Sequence, residues 1–155
     1  MPKEVMRRSA SDNAYLHKDF HGALSAGLEY VHRRYGAEAV RDFLRQFAAS
    51  FYSPLRADLR KRGLAALKEY FEQIYRVEGG TMAIRCTPDE LRIEVAACPA
   101  VTHMRAHGYA VARMFNETTK TVNETICEST PFAAELVGYD EQTGRSVQRF
   151  YRRSA

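Results

Sequence analysis

The chain has 155 residues, a formal net charge of +4 and a sequence pI near 9.0. Its length favours a single domain whose core is stable without disulfides or metals. No apolar run approaches the length of a membrane span, about 18 residues, and the polar, basic residues 1–11 lack the apolar segment of a signal peptide. Three unevenly spaced cysteines form no disulfide framework, so we expect a cytoplasmic protein with reduced thiols.

The positive charge favours an anionic small molecule over nucleic acid as a partner. Basic residues are interspersed with acidic ones, which is typical of solvated surface, and the sequence has no recognition-helix, zinc-finger or aromatic RNA-binding motif. We therefore expect a small-molecule substrate or ligand of anionic character, with no nucleic-acid and no membrane partner. The aromatic residues within 43–52 and 70–75 suit a core or a dimer interface equally well, which leaves a homo-oligomer open.

The first helix is predicted to end at Gly36. Ser11 and Asp12 are its N-cap candidates, apolar residues then recur every three or four positions, and a glycine is common just after a helix C-terminus. His17 and His21 share one face of this helix, which we interpret as solvated. We assign residues 1–14 to an N-terminal tail and residues 15–153 to a single α+β domain.

Two further helical stretches follow. The second helix runs from about Ala37 until Pro54 stops it, and Pro54 also suits the first turn of a third helix. Gly63 is the point at which this third helix kinks or divides, and Gly79-Gly80 closes it.

The apolar period changes from 3.6 to 2 after residue 80, which indicates strands. Two antiparallel hairpins are separated by two helices. We therefore predict an α+β fold: N-terminal helices packed on a four-stranded antiparallel sheet made of two hairpins, with two helices inserted between them. The elements are, in chain order, strands 81–86 and 91–97, helices 99–106 and 112–128, and strands 132–139 and 145–152.

Cys98 is the leading candidate for chemistry because it joins a predicted strand to a predicted helix. Pro99 suits the first helical turn, so Cys98 would lie at the positive end of the helix dipole, which favours thiolate. His103 follows five residues later, where it would serve as a base beside the thiol. The competing interpretations are an inert, buried cysteine and a surface histidine, since free cysteine is often buried.

Neither a metal nor a cofactor is expected. His103 and His107 share a helix face, but the sequence has no HExxH pattern and no C-x₂-C spacing of a structural zinc site. Phosphate-binding loops and dinucleotide fingerprints are also missing from the sequence.

The second inserted helix is unusually polar. Six β-branched residues lower its helix propensity, so tertiary contacts must hold it. One face carries Asn116, Lys120 and Asn123, and the adjoining stripe carries Glu117 and Glu124. We predict that this polar face lines a pocket opposite the thiol. The alternative is that the helix merely packs on the sheet, with its carboxylates in water.

Four segments resemble the L-2-amino-thiazoline-4-carboxylic acid hydrolase-like family: HGALSAGLEYVHRRYG, CPAVTHMRAHGY, FNETTKTVNETICEST and YDEQTGRSVQRF. The resemblance covers roughly residues 15–153. The chain departs from the family pattern where many members carry further cysteines, at Asn116 and at Ser146 or Val147 in the last strand. A fainter similarity, in element order alone, is to vinyl-reductase-type small-molecule sensor domains.

The resemblance implies hydrolysis of a cyclic amidine, or of another non-peptide C–N bond, in a substrate like L-2-amino-thiazoline-4-carboxylate. Cys98 would attack the electrophilic carbon directly, or Glu117 or Glu124 would activate water. His103 would transfer a proton near neutral pH.

The same resemblance implies a binding role for several basic and amide side chains. Lys120 or Arg113 would hold the substrate carboxylate, with Asn116 and Asn123 as further substrate-binding residues. The alternative functions are a non-catalytic small-molecule-binding or sensor domain, and an accessory protein to a larger enzyme.

Overall fold

The computed structural model of this protein describes residues 19–154. The predictions for earlier positions, among them the caps Ser11 and Asp12, His17 and the domain start at residue 15, lie outside the described residues. The elements are α1 (Asp19–Tyr35), α2 (Ala37–Phe51), α3 (Ser53–Arg62), α4 (Leu64–Glu78), β1 (Met82–Cys86), β2 (Glu90–Val95), α5 (Pro99–Ala106), α6 (Glu117–Cys127), β3 (Phe132–Tyr139) and β4 (Ser146–Arg152).

The four strands form one antiparallel sheet in the order β1-β2-β4-β3. The two hairpins join through β2 and β4, where Ile93 lies opposite Gln148 and Leu91 opposite Phe150. This arrangement confirms the predicted α+β class, with the N-terminal helices first and α5 and α6 between the hairpins.

Glycines divide the helical half of the chain. The predicted third helix is two helices, because Gly63 takes a φ of 69° between α3 and α4, a backbone conformation that glycine adopts without strain. Gly36 separates α1 from α2 in the same way, with a φ of 91°.

The prediction of a helix over residues 112–128 is wrong at its start, because α6 begins only at Glu117. Residues before it form turns. The Ala112 N–H donates to Ser25 Oγ at 2.7 Å, and Ser25 Oγ donates to the Ala110 carbonyl at 3.0 Å. Phe115 is buried in the core. Hydrogen bonds to Ser25 of α1 therefore replace helical hydrogen bonds for the backbone groups of Ala110 and Ala112.

The core lies between the sheet and the helices. Phe71 of α4 packs against Phe150 of β4, with ring centroids 5.6 Å apart. The polar helix α6 packs against α2 on one side and β3 on another, so burial rather than propensity holds it. Within residues 19–154, no helix combines the length and apolar character needed to cross a bilayer.

Candidate functional site

A small hollow lies between α4, α6 and β4. Its volume is about 120 Å³. An engineered apolar cavity of about 150 Å³ binds benzene, so this hollow accommodates a group about the size of one small ring. We call it the α4–α6 hollow. Its lining comprises Tyr52, Tyr70, Phe71, Ile74, Tyr75, Glu78, Thr118, Thr119, Val122, Asn123, Ile126 and Gln148.

Buried amide side chains form a hydrogen-bonded row at this hollow. Asn123 Nδ2 donates to Gln148 Oε1 at 2.8 Å, and Gln148 Nε2 donates to Ser146 Oγ at 3.1 Å. All three residues are buried. Alternation along β4 places Ser146, Gln148 and the core residue Phe150 on the same face of the sheet. The row thus satisfies polar groups that would be costly to bury unpaired.

Tyrosine hydroxyls form another part of the lining. Tyr70 Oη donates to Tyr52 Oη at 3.4 Å. Burial is the main cause that raises the pKa of Tyr70 and of Tyr75. The nearby Cys98 raises the pKa of Tyr75 further, and a hydrogen bond with Gln148 opposes the rise. These phenols therefore stay protonated at neutral pH and can donate as well as accept hydrogen bonds.

Glu78 brings a carboxylate to the edge of the hollow. It is the last residue of α4, which ends because Gly79 adopts a left-handed conformation with φ 72°. Glu78 Oε1 lies 3.7 Å from His21 Nε2. The prediction that His21 is solvated is therefore wrong, because His21 is partly buried beside the end of α4. The Glu78 carboxylate and the C-terminal, negative end of the α4 dipole therefore both lie at this edge of the hollow.

Cys98 caps the N-terminus of α5, as the Cys-Pro junction predicts. Its N–H donates to the Thr143 carbonyl at 3.0 Å, which fastens the β3–β4 loop over it. A β-carbon added at Gly144 would lie 2.4 Å from Cys98 Cβ. The residue is partly buried and packs against the core. The thiol is therefore tightly enclosed on its loop side.

Burial raises the pKa of the Cys98 thiol, and this effect exceeds the lowering by the N–H groups of Val101 and Ala100. Nearby Glu78 raises the pKa further. Cys98 in turn raises the pKa of Tyr75, which lines the hollow. Burial, together with the nearby Cys98, raises the pKa of Tyr139 to about 12. The Cys98 thiol is therefore neutral at neutral pH.

The structure places one of the predicted site residues in the hollow. Asn123 lines it, whereas Cys98 does not, although the thiol affects the pKa of the lining residue Tyr75. Asn116 lies instead in a different small depression, which Arg105 and Tyr139 also line.

Glu117 is directed to the opposite side of α6. Its Oε1 accepts a hydrogen bond from Arg41 Nε at 3.1 Å, and its Oε2 accepts one from Thr121 Oγ1 at 2.5 Å. Its side chain is only 6% exposed, against 33% for that of Arg41. This partly buried pair links α6 to α2.

The remaining charged candidates lie on the surface. Lys120 and Glu124 face each other in solvent, with Nζ and Oε1 3.9 Å apart. Arg113 Nη2 lies 3.1 Å from Glu29 Oε1 and borders an open groove between α1 and residues 108–113. None of these three residues lines the α4–α6 hollow.

His103 lies on a further face of the molecule. Its ring packs against that of His107, with centroids 4.1 Å apart, and it lines a shallow depression with Glu78 and Thr102. Across residues 19–154, no group of three or more histidine, cysteine, aspartate or glutamate side chains could hold a metal ion.

Sequence reasoning did not identify Tyr70, Tyr75, Glu78 or Gln148 as site residues. The sequence does carry a signal for Gln148. Alternation along the last strand puts the polar residues 146 and 148 on the same face as the apolar Phe150. The tyrosines carried no such signal, since they fit the apolar stripe of a core helix.

A scan of protein-family models finds no match to this chain, and a search of curated proteins finds none either. The resemblance drawn from the sequence therefore stays a prediction.

Proposed function

We propose that this protein binds a small molecule in the α4–α6 hollow. The observation that carries the proposal is the Asn123–Gln148 pair, which opens onto a cavity among protonated tyrosine hydroxyls. Ligand sites are typically concave and mostly apolar, with a few convergent polar groups. The hollow has this composition, because aromatic, aliphatic, amide, hydroxyl and carboxylate side chains line one small volume.

Calorimetric titration with 2-amino-2-thiazoline, the cyclic amidine ring of L-2-amino-thiazoline-4-carboxylate without its carboxylate, tests this proposal. We expect saturable binding that Gln148→Leu abolishes, because leucine fills the space and removes the donor and the acceptor of the Gln148 amide. The matched control is Gln46→Leu on the exposed side of α2, which should bind like the unmodified protein. Equal binding by Gln148→Leu would place the ligand elsewhere, and no binding by the unmodified protein would remove this ligand from consideration.

Hydrolysis of a cyclic amidine or another non-peptide C–N bond is the second candidate function. It is favoured by a thiol at a helix N-terminus next to a hollow that holds a phenol and a carboxylate, Tyr75 and Glu78. In this reaction water adds to the amidine carbon, the C–N bond breaks, and a proton passes to the departing nitrogen. Because the Cys98 thiol is neutral, its use as a nucleophile would require a base, and Glu78 is the neighbouring group that could accept the proton.

Cys98→Ala and Cys86→Ala form a matched pair for testing the catalytic version. Cys86 is exposed on β1 and distant in sequence from the junction. If Cys98 is the nucleophile, its replacement abolishes turnover of the thiazoline and Cys86→Ala retains it. Full turnover by Cys98→Ala would exclude the covalent version, while leaving binding intact.

The pH dependence of thiol alkylation gives an independent measurement. Because burial raises the pKa of Cys98 above its ordinary value of 9.0, the reactive thiolate forms only in alkaline solution. We expect slow labelling of Cys98 by iodoacetamide near pH 7, with a rate that rises through and beyond pH 9, as followed by peptide mass spectrometry. Fast labelling of this cysteine near pH 7 would instead indicate an activated thiolate.

A further inference from the structure

We propose that the α4–α6 hollow selects small organic cations over neutral or anionic molecules of the same shape. This inference rests on the proposed function, since it concerns the ligand class of the same hollow. The observation behind it is the charge of the lining: Glu78 is the one charged side chain among the described residues that line this hollow.

Two negative features coincide at one end of the hollow. Glu78 contributes a carboxylate, and it is the terminal residue of α4, where the helix dipole has its negative end. His21 contacts this carboxylate through Oε1 but does not line the hollow. A bound cation would therefore face Glu78 directly, in a partly desolvated space where charge interactions are stronger than in water.

The walls also suit a cation. Tyr52, Tyr70 and Tyr75 surround the space with aromatic rings, and aromatic faces attract organic cations through the ring quadrupole. Burial keeps the phenols of Tyr70 and Tyr75 neutral, so they add hydroxyl groups without adding charge.

An anion would find no compensating partner in the same place. Moving a charge out of water is costly unless an opposite charge or hydrogen-bond donors replace the solvent. The amide and hydroxyl groups of the hollow are donors, but the carboxylate of Glu78 would repel an anion. The net charge of +4 is a sum over the whole chain, and it does not determine the potential inside this cavity.

The test uses three planar probes of the same shape, with four non-hydrogen atoms each: acetamidinium, acetamide and acetate. Binding is followed by two-dimensional NMR through the side-chain NH₂ resonances of Asn123 and Gln148, which report on this hollow alone. Because ligands this small bind weakly, each probe is titrated up to about 50 mM, above the range of a millimolar Kd. We expect acetamidinium to shift these resonances in a saturable manner, at least about tenfold more tightly than acetate.

Glu78→Gln keeps the shape of the side chain and removes its charge. We expect acetamidinium to bind this variant about as weakly as acetamide, whereas Glu94→Gln, on an exposed position of β2, should keep the preference of the unmodified protein. The comparison of the three probes on the unmodified protein stands even if Glu78→Gln does not fold.

The outcomes separate the two proposals. If acetate or acetamide binds as tightly as acetamidinium, the cation preference is wrong and ligand binding in the hollow stands. If no probe perturbs the Asn123 and Gln148 resonances, small-molecule binding in the hollow fails, and the cation preference fails with it. Retained preference in Glu78→Gln would also overturn the role of this carboxylate.

Discussion

The two flanks of α6 both carry buried polar groups, but they differ in whether those groups are closed off. On the α2 side, Glu117 accepts hydrogen bonds from Arg41 and Thr121 through its two oxygens. On the sheet side, Asn123 pairs with Gln148 beside an open volume of about 120 Å³. A polar group that is enclosed by its protein partners stabilises the fold, whereas a paired amide that also lines a cavity has further donor and acceptor capacity for a ligand.

The largest effect is expected on the closed flank. Glu117→Ala would leave the partly buried guanidinium of Arg41 without this partner and Thr121 Oγ1 without an acceptor. We expect a loss of about 3 kcal/mol in the free energy of unfolding, measured by urea denaturation. Glu38→Ala is the control, because it removes an exposed carboxylate from the same Arg41 and should cost clearly less than Glu117→Ala. Equal losses would contradict a closed, structural role for Glu117.

The second largest loss of stability is expected from a substitution in the β3–β4 loop, which packs against Cys98. Gly144→Ala combines a positive φ of 67° with a β-carbon 2.4 Å from Cys98 Cβ. We expect a loss of about 2–3 kcal/mol in thermal or urea unfolding, from backbone strain together with overpacking. Gly108→Ala has a similar φ of 72° and nothing within 4 Å of the added carbon, so strain alone should cost about 1 kcal/mol. If the two variants lose the same free energy of unfolding, the β3–β4 loop is not tightly packed against Cys98.

Substitutions in the Asn123–Gln148 pair are expected to cause an intermediate loss of stability that is not additive. Gln148→Leu leaves the buried Asn123 amide without its partner, for an expected loss of about 1–3 kcal/mol. Replacing both residues by leucine should recover part of this loss, because no unpaired amide remains. Additive losses in the double variant, measured by urea denaturation, would show that the two amides do not depend on each other.

The smallest effect is expected at the solvent-exposed candidates on α6. Lys120→Ala removes an exposed pair whose charged atoms are 3.9 Å apart. The free energy of unfolding should change by less than about 0.5 kcal/mol, and acetamidinium binding should be unchanged. A change in binding would mean that this face contributes to the site, as the sequence-based hypothesis has it.

Local sequence patterns were sufficient to predict most of the helices and strands and the α+β fold class. The change of apolar period near residue 80, the glycines at 36 and 63, and Pro99 after Cys98 each act over a few residues, and the helices and hairpins follow them closely. The pattern failed over residues 112–116, where bonds to Ser25, which is distant in the chain, replace helical ones.

Only the tertiary structure decided which polar residues meet. Glu117 and Asn123 lie on one helix and look equally suited to a site, yet α2 brings an arginine to the first and β4 brings a glutamine to the second. The same holds for the thiol: the helix terminus that the sequence reveals favours thiolate, but enclosure by the β3–β4 loop raises the pKa of Cys98 instead. Periodicity reports which face of an element is buried, whereas desolvation and pairing depend on neighbours that the chain brings together from far apart.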